Sequence, residues 1–480
     1  MKFLQISSFK HLLTHSRFLL TLRSDQGKYH SLILFRLSSA GDAIWDNAGS
    51  SSKDRAANRQ IYVMESTCPH LGADMSHADI EEYEDTTVAV CPWHRYDFDL
   101  RTGKSETGLK ACTYSVEVKT DPEDHDIEKV YVETPSGGNN WRLIELRPVS
   151  EEFADPPPKL SQIPVVNPPV VPITDPPTTL MQWAVLILQT ANPTLKVLRT
   201  RHAVQLFRTG KLDSIGHKSS TAPRPPDVPP REESFLKNTV SPGKVKGRKS
   251  LAVMLHALAN VEQWAWDIMA RFGPSHPDLP PAFFSDFTKM ALDESKHLCL
   301  AADVPPFCDV PATPYGSMPV HASLWESATI TSHSLRSRLA IIHLVHEARG
   351  LDVNPGTIER FRRAGDAASV AAMEIIHADE VTHVTSGHRW FTWLCEKEGV
   401  EPVATFREEV RTGWRGNVKG PFNIDDREKA GLTPAFYEHL TGEMGEEEME
   451  QKKGALEGLK ALSLSDPVKP QVTVEYEDKI

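Results

Sequence analysis

Two short motifs near the beginning of the chain restrict its fold more than any other feature. They read Cys68-Pro69-His70 and Cys91-Pro92-Trp93-His94, so each supplies one Cys and one His, with twenty residues between them. Zinc fingers group their two Cys and then their two His. The alternating order is instead that of a 2Fe–2S cluster in which two Cys hold one iron and two His hold the other. The four residues Cys68, His70, Cys91 and His94 therefore predict such a cluster.

The surroundings of the motifs predict a small all-β domain. Runs rich in β-branched and aromatic residues are typical of strands, and each motif follows one of these runs. They lie at residues 31–35, 60–64, 87–90 and 129–132.

Residues 15–135 resemble Rieske ferredoxins and the Rieske domains of oxygenases. The likeness rests on the two motifs together with Leu71-Gly72 after the first and Tyr96-Asp97-Phe98 after the second. Respiratory-chain Rieske proteins add one Cys to each loop and join the two as a disulfide. The corresponding positions here are Ala73 and Trp93, which cannot form that disulfide, so the resemblance implies the ferredoxin or oxygenase type.

Composition limits the broad class of the protein. A chain of 480 residues predicts about two or three domains, and a net charge of −12 argues against a general nucleic-acid binder. The six Cys suggest no disulfide framework, so we expect a reducing, cytoplasmic compartment. No apolar run is long enough to span a membrane. Residues 1–23 lack acidic side chains and could form a mitochondrial presequence, but we favour 18–22 as the first strand.

Proline-rich segments divide the chain. Ten prolines lie between residues 148 and 177, and a second such stretch spans 222–230. Proline-rich sequence favours extended structure without a core, whereas the pattern after residue 250 is helical. We therefore predict a Rieske domain at 1–147, a linker at 148–180, a helical domain at 181–440 and a charged tail at 441–480.

The helical part contains one pentad twice. Asp293-Glu294-Ser295-Lys296-His297 and Asp379-Glu380-Val381-Thr382-His383 both read D-E-x-x-H. On a helix, Glu and His three residues apart share a face, so each pair can hold one metal ion. A dinuclear carboxylate site in a four-helix bundle needs two such pairs and one further Glu from each of two more helices. The Asp of each pentad could orient a His on the neighbouring helix.

Two upstream acids are candidates for the further ligands. Glu262 lies beside the apolar stripe of a predicted helix at 251–272 and precedes Glu294 by 32 residues, while Glu347 precedes Glu380 by 33. This nearly equal spacing predicts two helical hairpins, each giving Glu and then Glu-x-x-His. Glu326 competes with Glu347, because Gly350 and Pro355 are expected to interrupt the helix after Glu347. The expected ligands of a diiron centre are Glu262, Glu294, His297, Glu347, Glu380 and His383.

Residues 180–440 resemble a ferritin-like family of unknown function that is distantly similar to tRNA-modifying diiron hydroxylases. The likeness is carried by residues 256–262, the two pentads, 315–326, 347–352 and 387–391. It implies an all-α ferritin-like four-helix bundle with a diiron-type site. The predicted fold class is thus multidomain, a small all-β Rieske domain followed by this bundle.

These features predict an oxidoreductase that uses O2. The Rieske cluster would deliver electrons from an external NAD(P)H-dependent reductase to the diiron site, which would oxidise a small organic substrate by hydroxylation, desaturation or N-oxygenation. The chain has no Gly-rich dinucleotide fingerprint of its own. We expect no nucleic-acid partner, and a homo-oligomer is possible, since electrons could cross between subunits.

Three other functions are open on the sequence. His383 and His388 with Asp379 could hold a single iron, as in Rieske ring-hydroxylating oxygenases. A ferritin-like domain could instead store iron or consume peroxide. A tRNA-modifying hydroxylase could use the basic residues of 199–211 and 244–249 to contact phosphates.

Overall fold

The computed structural model describes residues 2–38, 51–83, 86–121, 124, 127–149, 169–230, 264–303 and 323–445. Its N-terminal part is built of antiparallel strands in three sheets, with the strand orders β1-β10-β9, β11-β2-β3-β4-β8 and β5-β6-β7. The strands are β1 Phe3–Ser8, β2 Arg17–Arg23, β3 Tyr29–Arg36, β4 Ile61–Glu65, β5 Asp79–Tyr83, β6 Thr86–Val90, β7 Asp97–Asp99, β8 Thr113–Tyr114, β9 Val116–Thr120, β10 Glu128–Glu133 and β11 Arg142–Pro148. Two short helices, α1 Phe9–Leu12 and α2 Ser52–Asn58, accompany them.

Strand β3 is the centre of this domain because both of its faces are buried. Leu32 and Leu34 pack into one apolar core, and Ile33 and Phe35 pack into a second core on the other face. The second core includes the two Cys of the cluster motifs. The segment at 18–22 is indeed a strand, but it is the second one, because residues 3–8 form an earlier strand that pairs with β10.

The C-terminal part is largely helical. Its elements are α3 Leu180–Leu188, α4 Pro193–Arg208, α5 Trp264–Phe272, α6 Pro281–Asp303, α7 Ser323–Ile330, α8 Leu335–Arg338, a π-helix Leu339–Glu347, α9 Ala348–Arg363, α10 Ala367–Glu398, α11 Pro402–Gly413, α12 Ile424–Lys429 and α13 Pro434–Tyr437, with strands β12 Arg415–Asn417 and β13 Thr441–Glu443. The predicted order of an all-β domain and then a helical region is confirmed. Within the described residues, no helix has both the length and the apolar character needed to cross a membrane.

The helix around Glu347 differs from the expectation. The chain continues as helix through Gly350 and Pro355, so the predicted interruption is wrong. Proline has no N–H to donate to the carbonyl four residues earlier. Here that carbonyl belongs to Leu351, and Asn423 Nδ2 donates to it at 3.2 Å. The side chain of a distant segment thus replaces the missing backbone hydrogen bond.

Charged contacts join the two halves. Arg147 of β11 donates to both oxygens of Asp293 on α6, and Lys289 Nζ donates to Glu145 Oε1 at 2.7 Å. The Tyr29 hydroxyl lies 3.0 Å from His388 Nδ1 on α10. The β11-β2-β3 side of the large sheet therefore rests on helices α6 and α10, which carry the two pentads.

Candidate functional sites

The four predicted cluster ligands converge on two loops, after β4 and after β6. Cys68 and Cys91 are buried, with 2% and 0% exposure. The rings of His70 and His94 lie with their centroids 4.8 Å apart and their planes at 83°. The Nδ1 atom of His70 is buried and has no hydrogen-bond partner. Two adjacent thiols, two adjacent imidazoles and an unpaired buried ring nitrogen fit a 2Fe–2S cluster held by Cys₂His₂.

The electrostatics of the two thiols also suit metal ligation. The hydrogen bond from Cys68 lowers the pKa of Cys91 to about 6, and the backbone N–H groups of His94 and Trp93 act in the same direction. Cys68 has a raised pKa, because it donates to Cys91 and is buried. A thiolate is the form that binds iron, and one of the two is already favoured at neutral pH.

The second candidate site lies between helices α6 and α10, where the two pentads face each other. His297 Nδ1 lies 3.1 Å from Glu294 Oε2, and His383 Nδ1 lies 3.4 Å from Glu294 Oε1. Glu380 Oε2 is 3.7 Å from His383 Nδ1. All four side chains are largely buried. The structure thus brings Glu294, His297, Glu380 and His383 together, with Glu294 between the two imidazoles.

The Asp of each pentad contacts the His of the other. Asp379 Oδ2 lies 2.9 Å from His297 Nε2, and Asp293 Oδ2 lies 3.5 Å from His383 Nε2. Since both imidazoles use Nε2 for an Asp, both keep Nδ1 toward Glu294. This is the arrangement in which a carboxylate fixes the tautomer and orientation of a metal-binding His.

Two cationic side chains, Lys296 and Arg147, pair with these Asp residues. Lys296 Nζ lies 2.7 Å from Asp379 and 3.2 Å from Asp293, which also pairs with Arg147. Burial alone would raise the pKa of Asp293, but Arg147 and Lys296 hold it well below its ordinary value. Burial and Asp293 would raise the pKa of Asp379, but His297 and Lys296 keep it lowered. Both Asp residues therefore stay ionised inside the fold.

Glu347 reaches the same site from the last residue of the π-helix. Its Oε2 atom lies 2.8 Å from His343 Nδ1, while its Oε1 atom is buried with no hydrogen-bond partner. His343 is fully buried and packs on Phe287, with ring centroids 5.3 Å apart. π-helix occurs mostly as single-turn bulges inside α-helices, and these bulges are frequent at functional sites. Here the π-helix spans Leu339–Glu347 and directs the side chains of His343 and Glu347 into the interior of the helical domain.

The pKa shifts and the unpaired buried atoms of this site both favour the binding of a cation. Burial raises the pKa of Glu380 to about 8, and the nearby Glu294 and Glu347 add to that, although His383 opposes it. His383 has a pKa raised to about 9 because Asp293, Glu294 and Glu380 outweigh its burial. Glu380 Oε2 and Glu347 Oε1 are buried without hydrogen-bond partners, and the ring nitrogens of His383 have only the ion-pair contacts of 3.4–3.7 Å to Glu294, Asp293 and Glu380. Such atoms are costly unless something binds them.

As the side chains stand, no three His, Cys, Asp or Glu in the described part of the chain form a ready-made metal geometry. The donor set nonetheless fits iron, because carboxylate and imidazole ligands converge with unpaired atoms. Glu262 lies outside the described residues, and so do residues 244–249. The competitor Glu326 lies on α7, but its side chain is not among those described.

Sequence reasoning missed three residues of this site. Lys296 lies inside the first pentad, and its contact with Asp293 three residues earlier could have been read from helical spacing, whereas its contact with Asp379 depends on the packing of α6 against α10. His343 precedes Glu347 by four residues, which is a signal of a shared helical face. Arg147 gave no local signal, since it lies 146 residues from Asp293 and reaches it only through the docking of the domains.

The geometry separates the residues of the single-iron alternative. His383 faces Glu294, whereas His388 lies one and a half turns further along α10 and contacts Tyr29 and Phe436. Asp379 is engaged by His297 and Lys296. His383 and His388 therefore do not converge on one metal ion.

The basic patch proposed for tRNA is partly internal. Arg199 is only 6% exposed, and its guanidinium donates to the carbonyl oxygens of Pro169 and Val170 and to Thr190. This side chain is used inside the fold and is not presented to phosphates.

Comparison with known families divides the chain in the same way. Residues 189–438, more than half of the chain, match the model of a family described as Protein of unknown function (DUF455). Residues 56–122 match the model of soluble Rieske-type ferredoxins. The predicted Rieske domain and its electron-transfer class are confirmed by this match.

Individual relatives cover parts of the chain. An uncharacterized protein of Haemophilus influenzae is 34% identical over 189 residues, which is 38% of this chain and 65% of that protein. A Rieske domain-containing protein of Homo sapiens is 36% identical over 45 residues, 9% of this chain and 29% of that protein. The chain thus spans less than two thirds of either relative. A crystal structure from Mycobacterium tuberculosis, described as a candidate small subunit of an NADH-dependent nitrite reductase, is 17% identical over 28% of this chain and 97% of its own, with a TM-score of 0.18.

Proposed function

Because the chain belongs to the family of unknown function DUF455 and carries a Rieske-type domain, we propose that it is an oxidoreductase with two iron sites. The helical site would hold two irons with Glu262, Glu294, His297, Glu347, Glu380 and His383. The protein would use O2 to oxidise a small organic substrate, with electrons from an external NAD(P)H-dependent reductase. When bound, a 2Fe–2S cluster supplies one-electron transfer and a diiron centre supplies O2 chemistry.

One observation carries this proposal. Among the described residues, three helical segments, α6, the π-helix and α10, bury carboxylate and imidazole atoms together, and several of those atoms have no hydrogen-bond partner in the protein. Burying a neutral polar group without a hydrogen-bond partner costs about 2–7 kcal/mol, and burying an unpaired ionised carboxylate costs more. A set of this kind is tolerated when a cation completes it, and iron accepts both types of ligand.

The protein's own residues would prepare and protect the helical site. Asp379 and Asp293 hold the imidazoles of His297 and His383 with Nδ1 directed inward. Lys296 and Arg147 offset the charge of those two Asp residues, so the inner Glu side chains remain the groups that bind metal. The site is also shielded from bulk solvent, since the side chains of His297 and His383 are 2% and 1% exposed.

Iron counting with Mössbauer spectroscopy on anaerobically purified full-length protein tests the proposal. We expect about four irons per chain in two pairs, one with the unequal sites of a Cys₂His₂ cluster. About three irons would favour a single-iron site, and zinc in the helical domain would rule out the redox role.

A ligand variant locates the second pair. Glu294→Ala should remove the helical irons and lower the count to about two, with the Rieske signal intact. The matched control is Glu374→Ala, since Glu374 is an exposed Glu on α10 that pairs only with Arg362 among the contacts described. Unchanged iron in Glu294→Ala would contradict the assignment.

A further inference from the structure

One buried imidazole of the helical domain has no part in the function proposed above. His343 is 0% exposed and lies inside the π-helix, four residues before Glu347. Its Nδ1 atom is 2.8 Å from Glu347 Oε2, and its Nε2 atom is buried without a hydrogen-bond partner. Among the described residues, the carboxylate of Glu347 is therefore the polar group that His343 contacts.

The direction of this hydrogen bond follows from the chemistry of the two groups. A carboxylate that binds a metal ion is ionised and has no proton to donate, so His343 Nδ1 carries the hydrogen and Glu347 Oε2 accepts it. Oε2 is thereby occupied, whereas Oε1 is buried and has no hydrogen-bond partner. The contact thus distinguishes the two oxygens of Glu347, and Oε1 is the one left for a metal ion.

His343 is held by the two helices that carry the pentads. On α6, the ring of Phe287 packs on the imidazole with the centroids 5.3 Å apart. On α10, Gly387 lies so close that an added Cβ would be 2.4 Å from His343 Cβ. Phe287 precedes Glu294 by seven residues and Gly387 follows His383 by four, so each lies about one or two turns from a candidate ligand on its own helix. The imidazole is therefore fixed on the same framework as the other candidate ligands.

Glu347 is a side chain that needs such support. It is the last residue of the π-helix, and its carboxylate is close to that of Glu380. Burial raises the pKa of Glu380 to about 8, and Glu347 is one of the two carboxylates that add to this rise. Repulsion between like charges favours rotamers that turn Glu347 away from the site. The hydrogen bond from His343 opposes that rotation.

We propose that His343 is a positioning residue of the helical metal site, which holds the Glu347 carboxylate by Oε2 and leaves Oε1 for the metal ion. This inference rests on the function proposed above, because it takes Glu347 as a ligand. A side chain that only filled this space would be apolar and would bury no unpaired ring nitrogen. Loss of a partner that orients a ligand typically weakens metal binding about 10- to 100-fold.

Anaerobic titration of the full-length chain with ferrous iron tests this role, once a chelator has emptied the helical site and left the cluster in place. The iron isotope that Mössbauer spectroscopy detects is added only in the titration, so a cluster grown with ordinary iron gives little signal. His343→Phe keeps a ring on Phe287 but removes the N–H, and should weaken binding of the helical iron about 10- to 100-fold. His343→Asn loses the ring but keeps an amide N–H near the position of Nδ1, and should lose less than about 3-fold. A role in packing alone predicts the opposite order.

Two further variants complete the design. His343→Leu has the shape of the Asn variant without its N–H, so it should bind iron as weakly as His343→Phe, and it carries the test if the larger ring disturbs folding. His346→Leu is the matched control and should keep the affinity, since His346 lies in the same π-helix but contacts Trp414 and Ser327. Urea unfolding and the electron paramagnetic resonance signal of the reduced cluster check the fold of each variant.

The possible failures are distinguishable. If the unmodified chain does not take up about two helical irons, the proposed function and this inference are both overturned. If it does, two results overturn this inference alone. One is unchanged affinity in His343→Phe and His343→Leu, and the other is binding in His343→Asn as weak as in His343→Leu.

Discussion

Arg147 of the β domain pairs with Asp293 of the helical site, so replacing Arg147 tests how domain docking supports that site. Arg147→Met removes the guanidinium but keeps an unbranched apolar side chain of similar reach. Arg147 is 15% exposed and Asp293 is 2% exposed, so the pair is nearly dry. Asp293 in turn contacts His383 Nε2. The substitution therefore acts on domain docking and on the orientation of a candidate ligand together.

The expected cost follows from what remains around Asp293. Loss of one partner of a buried ion pair costs about 3–5 kcal/mol, because the other charge stays buried. Here Lys296 remains 3.2 Å from Asp293 and retains part of the compensation. We therefore expect the free energy of unfolding to fall by about 2–4 kcal/mol. Arg142→Met is the matched control, since Arg142 is exposed on the same strand and should change stability by less than about 0.5 kcal/mol.

Urea unfolding at pH 7 with proteins of matched iron content measures this cost. The folded-state pKa of Asp293 is lowered, so its contribution is fully present above the unfolded value near 3.9 and is lost as the pH falls through the folded value. A cycle with Asp293→Asn isolates the pair, and we expect a coupling of about 1.5–3 kcal/mol. Coupling below about 0.5 kcal/mol would refute the reasoning that this contact stabilises the docked domains.

Three further changes have defined outcomes. Asp379→Asn should weaken iron binding at the helical site about 10- to 100-fold, measured by iron titration, and leave the Rieske signal unchanged, because it releases the orientation of His297. Gly387→Ala should lower the free energy of unfolding by about 1–3 kcal/mol, since the added Cβ would lie 2.4 Å from a His343 carbon. Gly356→Ala is the control: its Cβ would meet open space, and the substitution should raise the free energy of unfolding by up to about 1 kcal/mol. Burial holds the pKa of His388 well below 6.5, so the unfolded chain takes up a proton first, and His388 should lower stability by about 1.4 kcal/mol per pH unit below that value. The buried His77 and His346 act in the same direction, so His388→Gln should reduce the slope in a pH series of urea titrations by about that amount and leave the rest.

The parts of the candidate sites that the sequence predicted are those set by local periodicity. Glu294 and His297 share a helical face because they are three residues apart, and the same holds for Glu380 and His383. The pairs meet because helices α6 and α10 pack with these two faces toward each other. The cluster motifs were equally local, since each follows a strand whose alternate residues enter a core.

The parts that the sequence did not predict depend on distant segments. The helix after Glu347 continues through Pro355 because Asn423 satisfies the Leu351 carbonyl, and no local pattern shows that. The π-helix was also unexpected, because the apolar spacing of 339–345 is equally compatible with an α-helix. The ion pair of Arg147 required the docked arrangement of both domains. Propensity is a weak guide wherever tertiary contacts replace a local interaction.

Helix α6 connects the two candidate sites in one chain. At its first residue, Pro281 lies against Gly72 of the cluster loop, where an added Cβ would be 3.3 Å away. Glu294 follows thirteen residues later, which is about 20 Å along a helix. Near that point Arg147 holds the last strand of the β domain on Asp293. The β domain therefore contacts α6 at its first residue and again between Lys289 and Asp293, and two separated regions of contact fix its orientation where one would leave a pivot. It follows that Arg147→Met should loosen the contact near Glu294 and leave the seam between Trp93 and Phe207 closed, where the ring centroids lie 5.8 Å apart, since the two contacts share no residue.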